Sequence, residues 1–150
     1  DDCINHRDPD FKEHLQNACP DGIDIYFENV GGPVFRAVLP LLNQFARIPV
    51  CGVISHYNDT ALPEGPDLTP LILRSALVKR LTIRGFLVFD FVDEEPEALE
   101  HLTQWVLDGR LKYHEDFVSG LEGAPEAFIG LLKGKNFGKL VVEVSPSDKV

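Results

Sequence analysis

The sequence contains no methionine and only three cysteines, Cys3, Cys19 and Cys51. None of these stand in a CxxC spacing, and an odd number cannot close a full disulfide set, so reduced thiols are expected. The five histidines show no HxxxH or HExxH arrangement, and no metal site is expected. Neither GxGxxG nor GxxxxGK[ST] occurs, so the usual phosphate cradle is missing from these residues. No apolar run is long enough to span a bilayer, and no charged-then-apolar segment opens the chain. Basic residues are the minority, 14 against 24 acidic, for a formal net charge of -10. That balance argues against a broad nucleic-acid interface, which needs a basic surface. A single nucleotide held in a cleft by a few amides remains compatible with it.

What remains is an ordinary globular composition. The 150 residues are 44% hydrophobic and 25% charged, which suits one compact domain. Asp8-Pro9 reads as a helix start, with Phe11, Leu15 and Ala18 on one face and Pro20-Asp21-Gly22 as the stop. Residues 23–30 form a mostly apolar run closed by Gly31-Gly32, the pattern of a buried strand. A helix follows from Pro33, with Val34, Phe35, Val38, Leu41 and Leu42 inward and a kink or end at Pro40. A second strand is expected over residues 46–54, with Pro49 near its start, because proline removes a ladder donor. Residues 59–67, with Pro63, Gly65 and Pro66, read as a surface loop.

Thr69-Pro70 then opens an apolar helix through Lys79, and residues 81–89 make a third strand. Asp90, Asp93, Glu94, Glu95 and Glu97 fit a helix N-terminus, where each acid contributes about 0.3–1 kcal/mol; a cation site is the costlier explanation. Ala98, Leu99, Leu102, Trp105 and Val106 are expected as that helix's buried stripe, stopped by Asp108-Gly109. Beyond Tyr113 an irregular Glu/Gly-rich stretch precedes a helix over 124–133 and a last strand over 140–144.

Strands alternating with helices describe an α/β fold with a parallel sheet covered on both faces. Ligands in such sheets bind beyond the carboxyl ends of the strands. Asn29-Val30-Gly31-Gly32, Ser55-His56-Tyr57-Asn58 and the stretch after Gly85 should therefore share one rim. The paired glycines permit close approach of a ligand or simply make a tight turn. The Tyr57 phenol can hydrogen-bond a carbonyl oxygen or simply pack at the surface. Residues 136–139 either approach a cofactor or turn the chain into the last strand.

Five collinear segments carry a resemblance: residues 24–32 (Asp-Ile-Tyr-Phe-Glu-Asn-Val-Gly-Gly), 46–58 (Ala-Arg-Ile-Pro-Val-Cys-Gly-Val-Ile-Ser-His-Tyr-Asn), 83–88, 109–115 and 134–139. Together they resemble the zinc-independent branch of the medium-chain dehydrogenase/reductase superfamily, the group of prostaglandin, alkenal double-bond and curcumin reductases. The resemblance implies the second half of a Rossmann doubly wound parallel sheet over residues 1–112. It implies a return segment of the catalytic domain over 113–150. The chain starts at Asp1-Asp2-Cys3 without an initiator methionine, and the family's glycine-rich turn is expected to lie before it.

The same resemblance implies NADP(H) as cofactor. Asn29 would lie by the nicotinamide ribose and pyrophosphate, close to Gly31 and Gly32. Cys51, Gly52 and Ser55 would border the adenosine side, with Tyr57 near the ribose and substrate and Asn58 as a further cofactor contact. Phe86, Leu87 and Val88 would line the nicotinamide pocket, and Asn136 and Gly138 would close over the pyrophosphate. The implied reaction is reduction of the carbon-carbon double bond of an α,β-unsaturated ketone or aldehyde, with Tyr57 as the catalytic residue steadying the enolate oxygen. Quinone reduction is the nearest enzymatic alternative, and a non-catalytic module that only folds or dimerises is the other. A cytoplasmic homodimer joined through the 81–89 edge, with no nucleic-acid or membrane partner, completes the expectation.

Overall fold

A small apolar set organises the first part of the chain. Val38, Leu39, Leu42, Ala46 and Ile48 are buried together, with Leu15, Ile23, Tyr26, Phe35, Val50, Ile72 and Leu81 packed against them. The computed structural model describes residues 2–61 and 65–145; Pro63 of the expected loop and residues 146–150 of the expected return segment lie outside them. The described residues divide into two compact units, one up to Asp90 and one from Phe91.

In the first unit, the Asp8 carboxylate accepts the Asp10 amide at 3.0 Å, and helix α1 (Phe11–Ala18) follows. Strands β1 (Ile23–Ile25), β2 (Leu42–Val50) and β3 (Thr82–Gly85) form a parallel sheet in the order β1-β2-β3. Helix α2 (Gly32–Val38) carries Pro33 in its first turn and passes into a 3-10 turn, Leu39–Leu41, at Pro40. Helix α3 (Thr69–Lys79) starts where the Asp67 carboxylate accepts the Thr69 amide at 2.9 Å. It ends with Lys79 donating to the carbonyls of Pro40 and Leu42 at 2.8 and 2.6 Å.

All three expected strands exist, but their limits move. The run expected over 23–30 leaves regular geometry after Ile25 and still follows β2. The Tyr26 amide donates to Arg47 at 3.0 Å and the Glu28 amide to Pro49 at 2.9 Å. The second strand spans Leu42–Val50 rather than 46–54, so Pro49 is next to its last residue and not near its start. Its carbonyl still accepts Glu28, which is why a proline fits there. Between the pairs Ile23↔Leu42 and Ile25↔Arg47 the register slips, which marks a bulge on β2. Phe45 sits in that bulge at φ 63°, exposed, with the Arg80 guanidinium 4.5 Å over its ring. The third strand stops at Gly85, and a kinked 3-10 stretch, Val88–Glu94, takes the place of its expected end.

The second unit holds α4 (Glu95–Leu107), β4 (Glu115–Ser119), α5 (Ala124–Leu132) and β5 (Lys139–Glu143). Strands β4 and β5 pair in parallel from Glu115↔Lys139 to Ser119↔Glu143. Two expectations need correction. The stretch after Tyr113 is not irregular throughout: it contains β4. The apolar face of α4 is not buried: Leu99, Leu102, Trp105 and Val106 are all exposed, Trp105 by 41%. Helical periodicity predicted the helix, but the 13-residue α4 contains no buried residue. Among the described residues, no helix is long and apolar enough to cross a membrane.

Candidate functional site

The turn after β1 is organised by one acid. Glu28 is 3% exposed, and its Oε1 accepts the amides of Val30 and Gly31, both at 2.7 Å. The Tyr26 hydroxyl donates to the same oxygen at 3.2 Å. Burial, reinforced by the Glu28 charge and this hydrogen bond, pushes the Tyr26 phenol well above its ordinary range. Glu28 Oε2 is buried with no hydrogen-bond partner among the described residues.

Main-chain bonds tie this turn to the segment after β2. The Glu28 carbonyl accepts Cys51 and Gly52 at 2.8 and 3.2 Å. Asn29 and Val30 carbonyls accept Ile54 at 3.3 Å and Ser55 at 2.9 Å. Gly31 and Gly32 have φ of 76° and 53°, a region glycine enters without a Cβ clash. A Cβ would lie 3.2 Å from Ser55 Oγ at Gly31 and 3.0 Å from it at Gly32. The glycine pair thus lets the 3-10 turn Ile54–His56 pack closely on the loop. Within that turn's exit, His56 Nδ1 and Asp59 Oδ2 stand 2.8 Å apart.

Gly52 lies where the two segments converge. A Cβ there would stand 2.7 Å from Asn29 Oδ1 and 3.0 Å from the Tyr57 hydroxyl. The absent side chain therefore leaves room for an amide and a phenol to converge at the mouth of β2. Tyr57 is 60% exposed, and Asn58 follows it on the surface. Beside them an open cleft of about 440 Å³ lies over the carboxyl ends of β2 and β3. Val50, Cys51, Gly52, Val53, Gly85, Phe86, Leu87 and Asp90 line it. The Phe86 amide donates to Val50 at 3.3 Å, and its ring meets Phe27 edge-on at 5.9 Å. Asp90 accepts the Leu87 amide at 3.0 Å, while Val88 is exposed at the start of the 3-10 stretch.

Of the expected site residues, Cys51, Gly52, Phe86 and Leu87 line the cleft directly. Asn29 and Tyr57 flank Gly52, and Gly31, Gly32 and Ser55 form the packed loop behind it. Asn136 and Gly138 belong to the second unit. There Asn136 Nδ2 donates to the Gly138 carbonyl at 2.7 Å, and the Phe137 amide to Asp116 Oδ2 at 2.5 Å. The Lys139 amide donates to the His114 carbonyl at 2.8 Å, so this turn is held against the entry to β4.

A family model described as "Zinc-binding dehydrogenase" matches residues 1–142. The chain belongs to this dehydrogenase family. It is 53% identical over 149 residues to the NADPH-dependent curcumin reductase of Escherichia coli, covering 99% of this chain and 43% of that protein. It is 43% identical to the 2-alkenal reductase (NADP(+)-dependent) of Nicotiana tabacum, covering 97% of this chain and 41% of the relative. The crystal structure of CurA from Vibrio vulnificus in complex with NADPH superposes with a TM-score of 0.90 at 54% identity, over 97% of this chain and 44% of that one. The chain thus spans less than half the length of the relatives it matches.

The dehydrogenase fold also exposes what sequence reasoning missed. Glu28 was visible only as one letter of an apolar run, yet its burial organises the loop. A lone acid in such a run is the signal that could have singled it out. Asp90 was grouped with the acids of α4, but it caps the Leu87 turn and lines the cleft. Val50, Val53 and Gly85 complete the lining and carried no individual signal. Among the described residues, no three His, Cys, Asp or Glu side chains gather where they could hold a metal ion.

Proposed function

We propose that these residues belong to an NADP-dependent oxidoreductase that reduces the carbon-carbon double bond of α,β-unsaturated ketones and aldehydes. The observation carrying this reading is the convergence of Asn29 and Tyr57 over Gly52 at the strand ends. The names of the two reductase relatives, which match nearly all of this chain, support the substrate class. The cofactor fits the residues present. The cleft wall is apolar at Val50, Val53, Phe86 and Leu87, and a Cβ on Gly85 would meet nothing within 4 Å, leaving space for a flat ring system.

When bound, NADPH supplies the hydride. Phe86, Leu87 and Val88 would border the nicotinamide, while Asn29, Gly31 and Gly32 would shape the ribose side. Cys51, Gly52, Ser55 and Asn58 would border the rest of the nucleotide. Asn136 and Gly138 are proposed as further cofactor contacts on the family resemblance alone. Tyr57 would donate its phenolic proton in a hydrogen bond to the substrate carbonyl oxygen, where negative charge gathers as the β-carbon is reduced. The cofactor-binding portion would run over residues 1–112 and the return segment over 113–150, the latter supported by the β4–β5 pair. The exposed edge strand β3 supports a homodimer, and the cytoplasm is the proposed location.

NADPH oxidation by the full-length protein against a panel of enones, enals and quinones tests the reading. Turnover of enones and enals is expected. Bound cofactor with no turnover on any of them would sink it, and turnover of quinones alone would reassign the substrate class. A second reading, that these 150 residues alone do not react, is favoured by the openness of the cleft and by the free edge of β1 among the described residues.

A further inference from the structure

We propose that Glu28 is a positioning residue for the cofactor site, a buried side-chain acceptor that holds the amides of the turn leading into α2. The inference rests on the reductase reading above. The Val30 and Gly31 amides donate to Glu28 Oε1, both at 2.7 Å, so one side-chain acceptor holds the turn. Glu28 and Gly31 are both buried, so removing the acceptor leaves a buried amide unsatisfied. Glu28 also binds through its backbone: its amide donates to Pro49, and its carbonyl accepts Cys51 and Gly52. One residue therefore fixes the Asn29–Gly31 turn and the first cleft residues after β2 together. Displacing it would move Asn29 relative to Tyr57, which Glu28 does not contact in any hydrogen bond described above.

The geometry makes distinct demands on substitutions. Alanine removes the acceptor entirely. Aspartate keeps the charge but is one methylene short of both amides. Glutamine keeps an acceptor oxygen at the same reach, and its amide nitrogen falls at Oε2, the oxygen with no partner among the described residues. Reach and acceptance, rather than charge, are the property at stake.

The test uses the full-length protein, with NADPH titration, steady-state kinetics and hydrogen-exchange mass spectrometry on the peptide spanning residues 28–33. Glu28→Ala and Glu28→Asp should raise the NADPH Kd and KM by about 10-fold, raising KM more than they lower kcat, and should speed exchange in that peptide. Glu28→Gln should restore affinity and protection to within about threefold of the wild type. Aspartate serves if the alanine variant does not fold. Wild-type affinity and protection in Glu28→Asp would overturn the proposal, as would a glutamine variant as impaired as aspartate. Wild-type protein that binds no NADPH would refute the functional reading instead, and the exchange comparison would still decide the role of Glu28.

Discussion

Gly52 illustrates how one missing side chain can matter to activity while costing little stability. A Cβ there would collide with Asn29 Oδ1 at 2.7 Å and the Tyr57 hydroxyl at 3.0 Å, both tips of side chains, while the nearest backbone atom, the Asn29 carbonyl oxygen, is at an ordinary 3.6 Å. The tips can swing away, so Gly52→Ala should change unfolding free energy by no more than about 1 kcal/mol. The price is paid in geometry, because the amide and phenol can no longer converge on one point. A displacement of about 1 Å in a positioning group can lower rate by about 100-fold. We therefore expect kcat/KM on an enone to fall at least about 10-fold in full-length Gly52→Ala, with a nearly unchanged urea midpoint. Equal kcat/KM in variant and wild type would remove Gly52 from the site.

At the scale of elements, the turn between α5 and β5 makes the opposite case. Gly138 has φ of 105°, and a Cβ there would meet the His114 carbonyl oxygen at 2.3 Å. That atom is backbone at the entry to β4 and cannot swing aside. Gly138→Ala should cost more than about 2 kcal/mol, read as a lower urea midpoint of the full-length protein. A midpoint equal to wild type would show that the turn is not bound to β4 as described.

The same region shows why parts of the fold were hidden in the sequence. In β4 Glu115, Phe117 and Ser119 are exposed, while Asp116 and Val118 are half-buried. Asp116 is drawn inward by the Phe137 amide, so the polar-apolar alternation of an ordinary half-buried strand is scrambled and gave no strand signal. The strands β1, β2 and β3 were legible because apolar runs alternate with proline-started helices, and their parallel order followed. Their limits were not, because backbone pairing continues past Ile25 through Tyr26 and Glu28, which no local pattern encodes. The strand pattern pointed to Asn29 and Tyr57 as rim residues, whereas Gly52 entered only through the family resemblance, because the second strand was expected to run through it. Glu28 was not legible, since its role depends on burial and on amides that only the folded turn presents.

On the scale of the whole molecule, exposure is the deciding quantity. In the first unit Leu73, Leu77, Val88 and Phe89 all stay more than half exposed, and the cleft at the strand ends is open to solvent. Small-molecule sites that bind tightly enclose most of their ligand, about 70–90% of its surface. A cleft lined along the ends of β2 and β3 offers a nucleotide one wall, with the far edge of β1 unpaired among the described residues. Affinity tighter than about 10 µM needs nearly 7 kcal/mol net of the freedom lost on binding, and an open surface rarely supplies it. Calorimetric titration of the 150 residues by themselves should therefore give an NADPH Kd weaker than about 10 µM, while the full-length protein binds more tightly. The comparison needs a cooperative urea transition for the 150 residues, so that weak binding is not confused with unfolding. Micromolar binding by the folded 150 residues would mean that the single wall is sufficient, and that the Glu28-organised turn and the cleft beside it already hold the cofactor unaided.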